Sequence, residues 1–371
     1  MEFFDGGFFP GKEDQYGYYE YGLGCRDGKH TIQDAFENYQ IFYYVIVCLI
    51  FLNDILPKQS MILINYILLI LTVLFSYKTV YVLTESKKRA VSSALILGIL
   101  PGFLGFSIYM IRDLFILFFS SATFYYLILL YKLRKPLSSK LVFLIPLNFS
   151  VVTIFNYLIR PHLAFIFTYI FLNLYVARLI SLRKTALILI ISFLNLMLLN
   201  LAINSFLPDR NYLYPVINEL LNNHEFLWNT TKKIFLYSVG LGFLDAETVK
   251  SFDLIGLLIM RLLAIDSLIL PPIFFLMLIQ NKFRRDIGLI IAVMSGYLIY
   301  AAVYFYAEKY YVGVYGFHFR AYLPFYYFFV IMLFSNINIE KYRISLWNNN
   351  NLDSRRYKSS PEHRSLIVQQ A

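Results

Sequence analysis

The sequence predicts an all-α, polytopic integral membrane bundle with no soluble domain, and three observations predict it. Of 371 residues, 59% are hydrophobic and only 15% charged, a balance that a water-soluble chain of this length does not keep. The apolar residues gather into runs of roughly 20, the length at which an α-helix crosses hydrocarbon. The basic residues fall in short loops between alternate runs, as cytoplasmic anchors do. Only helices and closed barrels satisfy every backbone amide inside a bilayer, and runs of this length are helical. Tyr and Phe are abundant (32 and 36), which suits interfacial belts and a wide internal cavity.

Residues 1–38 precede the first run and are acidic and aromatic. Glu2, Asp5, Glu13, Asp14, Glu20, Asp27, Asp34 and Glu37 outnumber Lys12, Arg26 and Lys29, and the segment reads as an extracytoplasmic loop. Met1-Glu2 opens it without a positive n-region, so no cleavable signal peptide is expected. A short apolar run, 39–56, closes at Asn53-Asp54. Its length suits either a crossing or a dip into the interface, and the side of residues 1–38 turns on which it is. Clearer spans follow at about 61–83, 90–110, 114–131, 141–159, 163–177, 185–207, 262–279, 287–307 and 319–338. A transmembrane domain over 39–338 therefore holds roughly nine or ten membrane segments. Gly98, Pro101, Gly102 and Gly105 interrupt the span at 90–110, as backbone does where it lines a cavity or packs closely on a neighbour. Segment 208–253 has amphipathic, aromatic stretches and is expected on the extracytoplasmic surface.

The loops give the orientation. Lys87-Lys88-Arg89, Lys132 with Arg134 and Lys135, Arg178 with Arg183 and Lys184, and Lys282 with Arg284 and Arg285 all fall on one side. The basic tail, 339–371, joins them, so the C-terminus is expected in the cytoplasm. The net charge of +10 is thereby topological, and no nucleic-acid partner is expected. Cys25 lies in a polar segment and Cys48 in an apolar run, so neither a disulfide framework nor a metal motif is expected. No Walker glycine loop, His-Glu-x-x-His or Gly-x-Ser-x-Gly occurs, which leaves an ATP-driven pump, a zinc protease and a serine hydrolase without support.

The opposite face receives Arg112-Asp113, Arg160-Pro161-His162 and His318-Phe319-Arg320, each at the end of an apolar run. Charge at the edge of hydrocarbon is costly unless paired or hydrated, so such residues mark a cavity that attracts anions. An Arg fork matches phosphate oxygens, although snorkelling would equally place one at an interface. Asp113 suits a helix cap, and a capping carboxylate can also face a substrate. Glu13 or Asp14 could accept a proton from an attacking hydroxyl, or be ordinary solvated acids.

The order of these features resembles the GT-C superfamily of polyprenyl-phosphate-dependent glycosyltransferases, of the family 39 kind. Members carry an acidic residue followed by Tyr in the first external loop, matched by Glu13-Asp14-Gln15-Tyr16. A span beginning near Asn65, a small-residue span with Pro101, the charged spot Arg112-Asp113 and the element Arg320-Ala321-Tyr322-Leu323-Pro324 follow in the same order. Members place a transmembrane helix ahead of that loop, so the expectation is of a GT-C core that either lacks its first transmembrane helix or has it encoded ahead of Met1. The resemblance implies a multi-pass enzyme of a bacterial plasma membrane that transfers a sugar from a polyprenyl-phosphate carrier to a glycan, lipid or protein acceptor. It implies Asp14 as base with Glu13 its rival and Asp113 in support. Arg112, Arg160, His162, His318, Arg320 and Tyr16 would bind substrate. No cofactor is implied, with a divalent cation left open. A second resemblance, to polymerases of bacterial surface polysaccharide, rests on Arg112, Arg160 and Arg320 and depends less on the first-loop acid. A lipid-linked oligosaccharide flippase or transporter is the non-enzyme alternative, though no internal repeat supports it.

Overall fold

A computed structural model describes residues 12–37, 41–53, 56–100, 103–104, 112–132, 139–179, 194, 213–238, 265–280, 282, 286–310 and 319–336. Among them the protein is helical and has no strand. Gln59–Thr84, Asp113–Lys132 and Ile287–Tyr304 are long and apolar enough to cross a membrane. Ile41–Asn53, Leu144–Ile159, His162–Tyr175, Ile269–Ile279 and Leu323–Asn336 are shorter apolar helices. The expected span at 185–207 lies almost wholly outside the described residues, as does the tail from 337 onward. The chain divides into Met1–Ser335 and Asn336–Ala371, and the helical bundle belongs to the first unit.

Within the acidic segment stand two helices, α1 (Lys12–Arg26) and α2 (Ile32–Glu37). A reciprocal capping box starts α2. The Asp34 N–H donates to Thr31 Oγ1 at 3.3 Å, and the Thr31 N–H donates to Asp34 Oδ2 at 2.6 Å. The Thr31 backbone N–H foremost, and the Thr31 hydroxyl after it, act on the Asp34 carboxylate and hold it below its ordinary range.

Helix α3 (Ile41–Asn53) is apolar throughout and lies along α1. Tyr18 meets the edges of Tyr43 and Tyr44, with ring centres 4.6 and 5.5 Å apart. At Gly22 the missing side chain is required, because a Cβ there would stand 2.5 Å from the Phe51 ring. Cys25 and Cys48 are disulfide-bonded, with Cα atoms 5.5 Å apart. That corrects the expectation that they would not pair. A disulfide needs two Cα atoms at bonding separation, and only the docking of α1 on α3 brings them there. Removing the bond by Cys25→Ser with Cys48→Ser releases a loop spanning 23 residues. The expected loss of stability is about 3 kcal/mol by chain entropy. Thermal unfolding in detergent checks it: an unchanged midpoint would mean that ring packing alone holds α1 on α3.

Helix α4 (Pro57–Thr84) opens on Pro and closes with Glu85 in the left-handed region, φ 57°, its N–H bonded to Tyr81 O. Ser86 then caps α5 (Lys87–Ile99) by accepting the Arg89 N–H. Helix α6 (Asp113–Lys132) packs along α4, Phe75 meeting Phe118 and Tyr125, and short hydroxyl residues are buried on both, Thr72, Ser76 and Thr79 on α4 and Ser120, Ser121 and Thr123 on α6. Small side chains let two helices approach without a hydrophobic drive, as apolar surroundings require. The hydroxyls of Thr72, Ser76 and Thr123 each donate to the carbonyl four residues earlier at 2.8 Å.

Helix α7 (Ser139–Ile159) joins α6 through Asn156, whose amide donates to Thr123 Oγ1 at 3.0 Å. Helix α8 (Pro161–Leu179) begins after one intervening residue, Arg160. Helices α9 (Leu213–Asn222) and α10 (His224–Ser238) belong to the segment expected on the surface. They pack against α12 (Ile287–Tyr310), Phe226 meeting Tyr306, and α11 (Ile265–Ile279) lies between α10 and α12 in the chain. Helix α12 approaches α8 closely at Gly296, where a Cβ would stand 2.5 Å from Ile170 Cδ1. Helix α13 (Phe319–Asn336) is buried on every side from Leu323 to Leu333. Phe124, Phe167 and Tyr297 close around its Phe325.

Two contacts tie together ends that the sequence assigns to one face. Lys132 Nζ lies 2.6 Å from Asp286 Oδ1, and Arg89 Nη1 donates to Ser335 O at 3.3 Å.

Candidate functional site

At the other end of α6, α7 and α12, the charged positions at the edges of the apolar runs come together. Arg160 is the residue on which α7 ends and α8 begins. Its N–H bonds Asn156 O at 2.7 Å, and its carbonyl accepts the Leu163 N–H at 3.0 Å. Pro161 has no N–H to continue the ladder, so the chain turns there and fixes the position of the guanidinium. Arg160 as a whole is 6% exposed. Its Nη1 donates to Tyr300 Oη at 3.1 Å, and its central carbon lies 5.8 Å from the Tyr304 ring centre.

His162, two residues on, places Nε2 3.3 Å from Tyr304 Oη. Tyr300 Oη in turn donates to Tyr304 Oη at 3.5 Å, one helical turn along α12. Asp113, fully buried in the first turn of α6, acts on the Arg160 charge. Arg160 and Arg112 both act on His162. Arg112, Asp113, Arg160 and His162 therefore form one cluster, together with Tyr300 and Tyr304.

Arg112 is the odd member. Its Nε and Nη1 are buried and make no hydrogen bond among the described residues. Guanidinium donors taken out of water without an acceptor cost free energy, and an anion with two oxygens would satisfy both. With two guanidinium groups against the single carboxylate of Asp113, the cluster is positive in sum. It can hold an anionic group, orient it through planar forks and offer hydroxyl and imidazole donors beside it.

Tyr300 and Tyr304 were not singled out from the sequence. The signal was there: Tyr297, Tyr300 and Tyr304 recur at helical spacing inside an apolar run, placing hydroxyls where a buried oxygen needs a partner.

Glu13, Asp14 and Tyr16 lie on α1 in the turns just before Tyr18, with side chains outside the described residues. Helix α1 crosses α3, with Tyr18 meeting Tyr43, Tyr19 meeting Phe51 and Cys25 joined to Cys48. Tyr43 packs on Phe115 in the first turn of α6, ring centres 5.5 Å apart. His318 lies outside the described residues, and Arg320 sits in the first turn of α13 with its side chain outside them. Among the described residues no group of three or more His, Cys, Asp or Glu side chains could hold a metal ion.

No protein-family model, curated protein or solved structure matches the chain.

Proposed function

We propose that this protein is a membrane glycosyltransferase of GT-C type that moves a sugar from a polyprenyl-phosphate carrier to an acceptor on the extracytoplasmic face. One observation carries the reading: Arg112 presents buried, unbonded guanidinium donors near His162, on which Arg160 also acts, at the mouth of an apolar bundle. A ligand suited to that place is anionic at one end and apolar at the other. A lipid-linked phosphate is such a ligand. Arg112 and Arg160 neutralise the phosphate as it leaves, His162 and Tyr304 hydrogen-bond to it, and positioning supplies much of the catalysis. Asp14 accepts the proton of the attacking acceptor hydroxyl, with Glu13 its rival and Asp113 orienting Arg160. His318, Arg320 and Tyr16 complete the substrate contacts in this reading. The cell membrane is the expected location, and the basic tail is cytoplasmic.

The presence of both Arg112 and Arg160 around His162 also favours a second reading, a polymerase that joins lipid-pyrophosphate-linked repeat units. The two differ in their need for an acid on α1. Purified protein in liposomes, given a radiolabelled polyprenyl-phosphate sugar and an acceptor extract, tests both. Asp14→Asn with Glu13→Gln is expected to lower transfer by about 100-fold or more, the scale of a lost general base. Full transfer by that double variant would favour the polymerase. Movement of labelled lipid without any new glycosidic bond would overturn both enzyme readings.

A further inference from the structure

The heights of the helices decide what the sequence left open, whether α3 crosses the membrane. Helix α5 runs antiparallel to α4, with Gly98 lying against Val73, so α4 and α6 are parallel. Their register is well marked. Phe75 of α4 packs on both Phe118 and Tyr125 of α6 at 5.8 Å, and Ser76 of α4 donates to the Tyr327 hydroxyl at 3.2 Å. Asp113 therefore stands level with the neighbourhood of Ile67 and Leu68. Pro57, where α4 begins, rises about 15 Å beyond that level at 1.5 Å per residue.

Helix α3 starts low. Phe42 packs on Phe115, Phe119 and Phe155 at 6.1, 6.0 and 5.3 Å, just below the level of Asp113. Three residues after Asn53 the chain reaches Leu56 and the raised beginning of α4. Helix α3 thus climbs from the cluster toward the outer end of α4, on one face throughout. Apolar side chains on that outer part of α4 are exposed, Leu63 by 60% and Ile67 by 47%, so the apolar belt continues past Asp113. Leu49 and Leu52 of α3 are exposed as well.

We propose that α1, α2 and α3 form a disulfide-locked cap on the extracytoplasmic face, in which α3 occupies the outer half of the bilayer and never crosses it. The sidedness rests on the orientation used in the functional reading. The covalent step has a defined chemistry. The Cys25 and Cys48 thiols lose two protons and two electrons to a disulfide-bearing oxidant, which leaves as a dithiol by exchange. Such oxidants act outside the reducing cytosol, which places α1 with the charged cluster. The cap also reaches that cluster mechanically, through the ring contacts from Tyr18 to Tyr43 to Phe115.

Single reporter cysteines in a Cys25→Ser/Cys48→Ser background test the topology with a membrane-impermeant maleimide on intact cells. Asp27→Cys, between α1 and α2, and Gln59→Cys, at the start of α4, are both expected to react from outside. Lys87→Cys is expected to react only after permeabilisation. Asp27→Cys reacting only after permeabilisation while Gln59→Cys reacts outside would mean that α3 crosses, and would overturn the cap. Lys87→Cys reacting from outside would overturn the sidedness together with the orientation behind the transferase reading. Expected labelling without any sugar transfer would leave the cap standing and count against the transferase alone. The lock has its own readout in the unaltered protein. Denatured without reductant, it is expected to take up no polymer-maleimide mass tag, and two tags after reduction. Two tags without reductant would overturn the lock.

Discussion

Arg160→Ala is expected to lower sugar transfer by roughly 100- to 1,000-fold, the scale on which a preorganised charge contact to a developing anion acts. The guanidinium is fixed by the turn between α7 and α8 and by its bond to Tyr300, so it does not reorganise when charge develops on a phosphate. Arg160→Lys keeps the charge but not the planar fork, and is expected to recover only a part. Because Arg160 also bonds within the bundle, its loss could loosen the fold. Arg112→Gln separates the two effects: its Nε and Nη1 bond nothing among the described residues, so the fold loses little while the anion loses a clamp. Transfer rates in liposomes, set beside the detergent melting midpoint of each variant, make the check. Arg112→Gln with normal transfer and a normal melt would reduce Arg112 to an interfacial anchor and remove the main support for an anion site.

How much of this was legible follows from what each residue type announces. Arg112, Asp113, Arg160 and His162 were legible because charge at the end of an apolar run is expensive wherever it occurs, and the alternation of basic loops put them on one face. Tyr300 and Tyr304 announce nothing comparable among 32 tyrosines, since an aromatic ring is at home in an apolar helix whether or not its hydroxyl has a task. Helix spans were legible from apolar length: the runs at 114–131 and 287–307 correspond to α6 and α12. The pairing of Cys25 with Cys48 was not, because their sequence contexts oppose one another and only the docking of α1 on α3 unites them. The path of α3 was hidden for a related reason. A helix of 13 residues, apolar up to Leu52, fits a dip and a short crossing equally, and only contacts to Phe115, Phe119 and Phe155 tell at what height it begins.

Asp286→Ala is expected to destabilise the protein by about 3–5 kcal/mol, the cost of leaving one member of a buried ion pair without the other. Lys132 and Asp286 meet at 2.6 Å with side chains 14% and 9% exposed, so water screens them little. Asp286 has a second task, because its carbonyl accepts the Ile290 N–H and its carboxylate faces the positive end of α12. Lys132→Met with Asp286→Leu removes both charges together and is expected to cost far less than Asp286→Ala alone, since no unpaired charge then stays buried. Thermal and denaturant unfolding in detergent separate these cases, and equal losses from the single and double variants would show that helix capping outweighs the pair. The consequence reaches the cluster. This pair fastens one end of α12 to α6, while Arg160 and Tyr300 fasten the other end to the turn between α7 and α8. Loosening the first contact leaves α12 held less firmly against α8, on which it packs closely at Gly296. Asp286→Ala is therefore expected to lower sugar transfer as well, although Asp286 lies at the opposite end of the helix from Tyr300 and Tyr304.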